Sequence, residues 1–177
     1  MEFRETELAD LRVIALSAVR DDRGYFARTY CSETMRRHGL DHAFPQHSVS
    51  FSKERGTLRG MHFQLPPHAE TKLVRCLNGS IYDVIVDLRP ESPTYRKWQG
   101  FELSAGDLTM LYVPKGFAHG FQTLTDDVEV AYMISTPYAP DAARGIRYDD
   151  PAIGIVWPLP VSVISERDRA WAHLEPA

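Results

Sequence analysis

The residues best suited to chemistry lie in the segment Arg55 to Gln64, RGTLRGMHFQ, which joins a glycine-bounded turn to a short strand. Successive strand side chains point to opposite faces, so His62 and Gln64 share one face while Met61 and Phe63 share the other. A His near Arg59 and Gln64 suits the inside of a polar pocket, because a solvent-facing strand usually carries Lys, Glu or Thr. Taken alone, the segment still reads more simply as a surface His on an antiparallel strand. Further groups add weight to the pocket: Lys72 at the start of the next strand, Tyr132 in EVAYMIS, His119 in GFAHGF, Asp83 and Asp87 in one strand, and Asp168 in SERD. A His, a Tyr, a Lys and an Arg can together abstract a proton beside a carbonyl, return one, and hold the enolate.

Each of these residues also has a plainer role. Lys72 fits a solvated strand position, Tyr132 a core position with a satisfied hydroxyl, and His119 a buried structural imidazole. Asp168 fits a helix-start carboxylate, and Tyr25 and Phe26 fit packing aromatics. No Cys or Ser stands in a recognisable nucleophile setting, and no glycine-rich phosphate loop opens a helix, which disfavours acyl transfer and nucleotide-driven phosphoryl transfer. Small jelly rolls often bind a metal through two neighbouring strand His, a carboxylate and a distant His. Here His62 is followed by Gln64, so the second imidazole is absent, although His119 could serve as the distant ligand. No metal is expected.

The elements that must position these groups are strands. The run Leu11 to Leu16, then YFARTYC, QHSVSFS, TLRGMHFQ, TKLVRCL, SIYDVIVDLR, GFELSAG, LTMLYVP, KGFAHGFQTLT and VEVAYMIST are β-rich and separated by turn signals. Pro66 and Pro67 end the strand that carries His62. Asn78 and Gly79 predict a tight hairpin, since both central residues of the favoured turn need positive φ. Ser32 to Gly39 predicts a short helix with Ser32 as N-cap, and Glu166 to His173 a second. This pattern indicates an all-β sandwich or barrel.

A length of 177 residues suits one core, so a single domain over 1–177 is expected. The 44% hydrophobic and 25% charged content is that of an ordinary globular protein. A net charge of −4 argues against a broad nucleic-acid surface. The two cysteines, Cys31 and Cys76, are too few for a disulfide scaffold and fit a reducing cytoplasm. The acidic N-terminus carries no long apolar run, so neither a signal peptide nor a membrane span is expected.

The ordered motifs DDRGYF, RGTLRGMHFQ, KLVRCLNGSIYDVIVDLR, SPTY with KW, LYVPKGFAHGFQTL, EVAYMISTPYAP, GIRYDDPAIGIVWP and ISERD closely resemble the dTDP-4-dehydrorhamnose 3,5-epimerase family, from about Asp21 to Asp168. The resemblance implies a cupin-type double-sheet jelly roll with short peripheral helices. It implies an isomerase acting on a nucleotide-linked 4-keto-6-deoxy sugar, with no metal or organic cofactor. His62 would remove the C5 and then the C3 proton, Asp168 would pair with it, Lys72 would hold the C4 oxyanion, and Tyr132 would return a proton on the opposite face. Arg23, Phe26, Gln46 and Arg59 would contact the nucleotide or its diphosphate, Tyr138 would line the same site, and His119 would support the pocket beneath the sugar. It further implies a homodimer with strand exchange, in which Arg23 and Phe26 act in trans. Two departures stand out: Arg28 where many members have Glu, and Gln46, His47, Ser48 where many have QDNHS. The first swaps an acceptor for a cation near the expected nucleotide site and leaves the nucleotide open; inversion at one carbon or both is open as well.

Overall fold

The computed structural model describes residues 1–174. In chain order the strands are β1 (Glu2–Glu5), β2 (Arg12–Ala15), β3 (Ala18–Asp21), β4 (Gly24–Ala27), β5 (Gln46–Ser52), β6 (Leu58–Gln64), β7 (Lys72–Asn78), β8 (Ser80–Asp87), β9 (Trp98–Ser104), β10 (Thr109–Val113), β11 (Phe117–Thr123), β12 (Val128–Ile134) and β13 (Ala143–Gly145). Two short helices, α1 (Ser32–Arg37) and α2 (Glu166–Arg169), lie outside the sheets. Among the described residues no helix is long and apolar enough to cross a membrane.

The strands form a six-stranded sheet in the order β1-β2-β10-β7-β12-β5, a five-stranded sheet in the order β13-β6-β11-β8-β9, and the separate β3-β4 hairpin. All named strand pairs are antiparallel. This is the expected double-sheet jelly roll, with short peripheral helices. Period-two alternation assigns side chains to three layers. Val74, Cys76, Ile85, Phe117, Phe121 and Val130 pack between the sheets. On the outer face of the larger sheet, Ile14, Leu73 and Met110 are covered by Met35 of α1 and by Phe44. On the outer face of the smaller sheet, Met61, Val84 and Ala118 are covered by Ile146 and Ile153 from the C-terminal stretch.

Four local expectations need correction, the simplest being the second helix, which ends at Arg169 rather than His173. Asn78-Gly79 makes no hairpin: β7 and β8 lie in different sheets, and only Gly79 of the pair has positive φ, at 73°. The chain crosses the sandwich there, because Leu73 must face outward while Ile81 and Ile85 must reach the central core. The expected YFARTYC strand is shorter: pairing with β3 stops at Ala27. Helix α1 is capped at Cys31, and Ser32 is its first helical residue. Gly39 (φ 69°) ends α1 as expected, with its own amide on the Arg36 carbonyl and that of Leu40 on the Met35 carbonyl.

The closest backbone approach in the smaller sheet lies beside His62. Gly60 has φ 145°, and a Cβ there would sit 2.6 Å from the Gly120 Cα, at the bulge between β6 and β11. Gly60→Ala therefore adds backbone strain to a backbone clash and is expected to cost about 3 kcal/mol. Chemical denaturation of the purified variant measures it, and a loss below about 1 kcal/mol would contradict the tight packing inferred here.

Candidate active site

Toward one end of the space between the sheets the apolar filling gives way to polar groups around a cavity of about 490 Å³, within the range of small-molecule sites. His62 and His119 are direct cross-strand partners on β6 and β11, both from the smaller sheet. Lys72 on β7 and Tyr132 on β12 face them from the larger sheet. Alternation on β12 buries Val128 and Val130 in the core and carries Tyr132 into the cavity, while Lys72 takes the inward register of Val74 and Cys76. Thus Lys72 is buried, at 7% exposure, rather than solvated.

Each imidazole meets a carboxylate. His62 Nε2 lies 2.5 Å from Asp168 Oδ1, and His119 Nε2 lies 2.6 Å from Asp83 Oδ1. Asp168 arrives from the far end of the chain. Ile164 bridges to Leu58, Ser165 caps α2 by accepting the Asp168 amide at 3.0 Å, and the Asp168 carboxylate takes the Gly60 amide at 3.2 Å. It is a helix-start residue, as its sequence context suggests, but at 5% exposure it is no surface charge. With Nε2 of His62 donating to Asp168, Nδ1 keeps a free lone pair, and the His62 side chain is 43% exposed.

Burial disfavours ionised Asp168, but the hydrogen bonds from His62, Gly60 and Ser165 outweigh it and hold the carboxyl below its usual range. Asp87 is held low in the same way, with Arg89, Ser92 and Thr94 outweighing its burial. Burial pushes the Tyr132 hydroxyl well above the usual tyrosine value, with the charge of Asp83 adding to the shift, so at neutral pH it carries its proton. The hydroxyl lies 3.3 Å from Ser50 Oγ. For a carboxyl whose folded pKa is depressed, the stabilisation is complete above the unfolded value of about 4 and is lost as pH falls through the folded one. Melting temperature is expected to be insensitive to these two groups above about pH 5 and to drop below about pH 4; thermal melts across that range check it.

Arg59 lines the mouth, held to Ser52 Oγ at 3.0 Å and the Phe51 carbonyl at 2.8 Å. Gln46 and Tyr138 line it too, joined by the Tyr138 amide donating to Gln46 Oε1 at 2.9 Å. Eight of the ten expected site residues thus converge here, namely His62, Tyr132, Lys72, Asp168, Gln46, Arg59, His119 and Tyr138. Arg23 and Phe26 do not: they sit on the β3-β4 hairpin, the Arg23 side chain 90% exposed and paired with Asp21, and Phe26 72% exposed. Glu70, Arg144 and Arg167, which are not among the ten expected site residues, also line the cavity. Among the described residues no three His, Cys, Asp or Glu side chains gather as a metal-binding group.

Residues 5–176 match the family model for dTDP-4-dehydrorhamnose 3,5-epimerase. The chain belongs to the dTDP-4-dehydrorhamnose 3,5-epimerase family. It is 44% identical over 175 residues to the dTDP-4-dehydrorhamnose 3,5-epimerase of Sinorhizobium fredii, covering 98% of this chain and 90% of that one. The crystal structure of the Bacillus anthracis dTDP-4-dehydrorhamnose 3,5-epimerase with TDP and PPi bound superposes with a TM-score of 0.94 at 42% identity, covering 98% and 99% of the two chains. The Legionella pneumophila dTDP-6-deoxy-D-glucose-3,5-epimerase in complex with dTDP-4-keto-L-rhamnose gives a TM-score of 0.91 at 34% identity, covering 97% and 92%. As a member of this epimerase family, the protein is an isomerase with the cupin fold of its relatives.

Proposed function

We propose that this epimerase inverts C5 and C3 of dTDP-4-keto-6-deoxy-D-glucose, with His62 as base and Tyr132 as acid. The observation that carries the reading is the placement of these two groups on opposite sheets, facing one cavity. Inversion needs a proton removed from one face of the sugar carbon and supplied to the other. One imidazole cannot do both.

His62 Nδ1 takes the proton from the carbon beside the C4 ketone, and the C–H electron pair becomes the enolate. Asp168 fixes the tautomer and stabilises the imidazolium that forms. Lys72 donates to the enolate oxygen. Tyr132, kept protonated by its surroundings, protonates the carbon from the far side. The His62 proton passes to solvent and the Tyr132 phenolate regains one from solvent, so the net change is stereochemical. The sequence repeats at the second carbon. His119, held by Asp83, forms the floor beside Tyr132, with ring centroids 6.1 Å apart. Arg59, Gln46 and Tyr138 hold the nucleotide diphosphate at the mouth. The chemistry asks for no metal or organic cofactor.

The active form on this reading is a homodimer. The β3-β4 hairpin exposes Val19 and Phe26, and the edge strand β5 exposes Val49 and Phe51. Those apolar surfaces support an arm that reaches a second copy and delivers Arg23 and Phe26 to its cavity. The resulting assembly would work in the cytoplasm on a substrate made there.

The test is solvent exchange: with dTDP-4-keto-6-deoxyglucose in deuterated water, deuterium should enter C5 and C3 and the L-sugar should accumulate. Parallel reactions with the CDP, GDP and UDP forms report the nucleotide preference, on which Arg28 bears. Entry at one carbon alone would overturn double inversion. No entry with any nucleotide would overturn the reaction.

A further inference from the structure

We infer that Glu70 is a positioning residue that holds Lys72 in the geometry needed at the enolate oxygen, an inference that rests on the reaction proposed above. Glu70 precedes β7, its side chain only 11% exposed, and it lines the same cavity. Its Oε1 lies 3.0 Å from Lys72 Nζ, and Nζ also donates to the His62 carbonyl at 3.2 Å. An ammonium has three donors. Two are directed by protein acceptors and one is left for a ligand oxygen in the cavity.

The other oxygen of Glu70 is fixed as well. Oε2 accepts from Gln64 Nε2 at 2.9 Å, and the same nitrogen donates to the His68 carbonyl at 3.0 Å. Gln64 Oε1 accepts the Ala139 amide at 2.7 Å. Both sides of the amide are therefore used, and flipping it would break every one of these bonds. Thr71, between Glu70 and Lys72, is pinned through its amide to Ser135 Oγ at 2.8 Å and through its hydroxyl to Asp41. A bonded chain thus runs from the loop that carries Tyr138, through Gln64 and Glu70, to Lys72.

The carboxylate cannot be replaced by an amide without loss. Asp168 is engaged with His62 and Asp83 with His119. Among the described residues Glu70 is the anion paired with Lys72. A buried ammonium without its partner is costly and moves toward water or another acceptor. A shift of about 1 Å in a group that contacts the reacting atoms can cost about 100-fold in rate.

The experiment compares the full-length wild type, Glu70→Gln, Lys72→Ala and the double variant by steady-state epimerisation and by deuterium entry. Glu70→Gln is expected to lower kcat about 10- to 100-fold with KM within about 3-fold, and to have no further effect once Lys72 is alanine. A folding role alone would lower the melting temperature and leave kcat per folded enzyme unchanged. Unchanged kcat, or equal losses with and without Lys72, would overturn the inference. If Glu70→Gln does not accumulate as folded protein, Gln64→Met frees the same carboxylate from its other end, and the same kcat criterion applies. An inactive wild type would overturn the reaction and with it this role; an active wild type matched by an equally active variant would overturn Glu70 alone.

Discussion

Replacing His62 with alanine is expected to abolish deuterium entry at both C3 and C5, lowering kcat by about 10⁴-fold or more while nucleotide affinity stays within a few-fold. On the proposed reaction the imidazole supplies the Nδ1 lone pair for both carbons; His119 is paired with a carboxylate in the same way, but its side chain is only 5% exposed against 43% for His62, and Glu70 is held by Lys72 and Gln64. The side chain is partly open to the cavity, so its removal leaves the core layer of Met61 and Val84 in place. Asp168→Asn should fall short of that loss, at roughly 10²-fold, because the ring remains but the imidazolium loses its counter-charge. Residual exchange in His62→Ala above about one-hundredth of wild type would place the base elsewhere.

The second large effect separates proton removal from inversion. Tyr132→Phe keeps the ring that packs against the central core and deletes the hydroxyl near Ser50. Epimerised product is expected to fall about 10²- to 10⁴-fold, the usual worth of a positioned acid. Deuterium should still enter the substrate with its configuration retained, since His62 can return a proton to the face from which it took one. Product analysis by NMR in deuterated water distinguishes the two. Equal loss of exchange and inversion would mean that Tyr132 acts before the enolate forms, in substrate binding or in proton removal itself.

The pairing of His62 with Tyr132 shows why part of the site was legible and part was not. Alternation in RGMHFQ placed His62 opposite Met61, and the outer core confirms Met61 as its anchor. In EVAYMIS the same rule gives Tyr132 the inward side shared by Val128 and Val130, yet it cannot say whether that position meets apolar core or cavity. The distinction depends on what the opposite sheet presents at that level. Glu70 was passed over because it lies in a loop after two prolines, where no periodicity applies; its meaning comes from the Lys72 ammonium 3.0 Å away. Arg23 and Phe26 carry a motif signal, but within one chain the hairpin stands outside the cavity.

The Asn78-Gly79 turn marks the limit of local rules most clearly. Turn chemistry locates a change of direction, and the chain does turn there. Whether the next strand pairs beside the last or crosses to the other sheet is decided by which faces must be buried, a property of the thirteen strands of the described residues together. By itself, the amino-acid sequence determined the β-rich class, ten of the thirteen strands among the described residues and the family resemblance, because those depend on period, turn residues and motif order. The tertiary structure decided that Lys72 is paired with Glu70, and it supplies the geometry by which Asp168 reaches His62 across 106 positions, as the resemblance implied, and by which His62 and Tyr132 face one cavity from separate sheets. Hydrogen bonds and ion pairs act over about 3 Å, and only the fold brings groups so far apart in the chain to that distance.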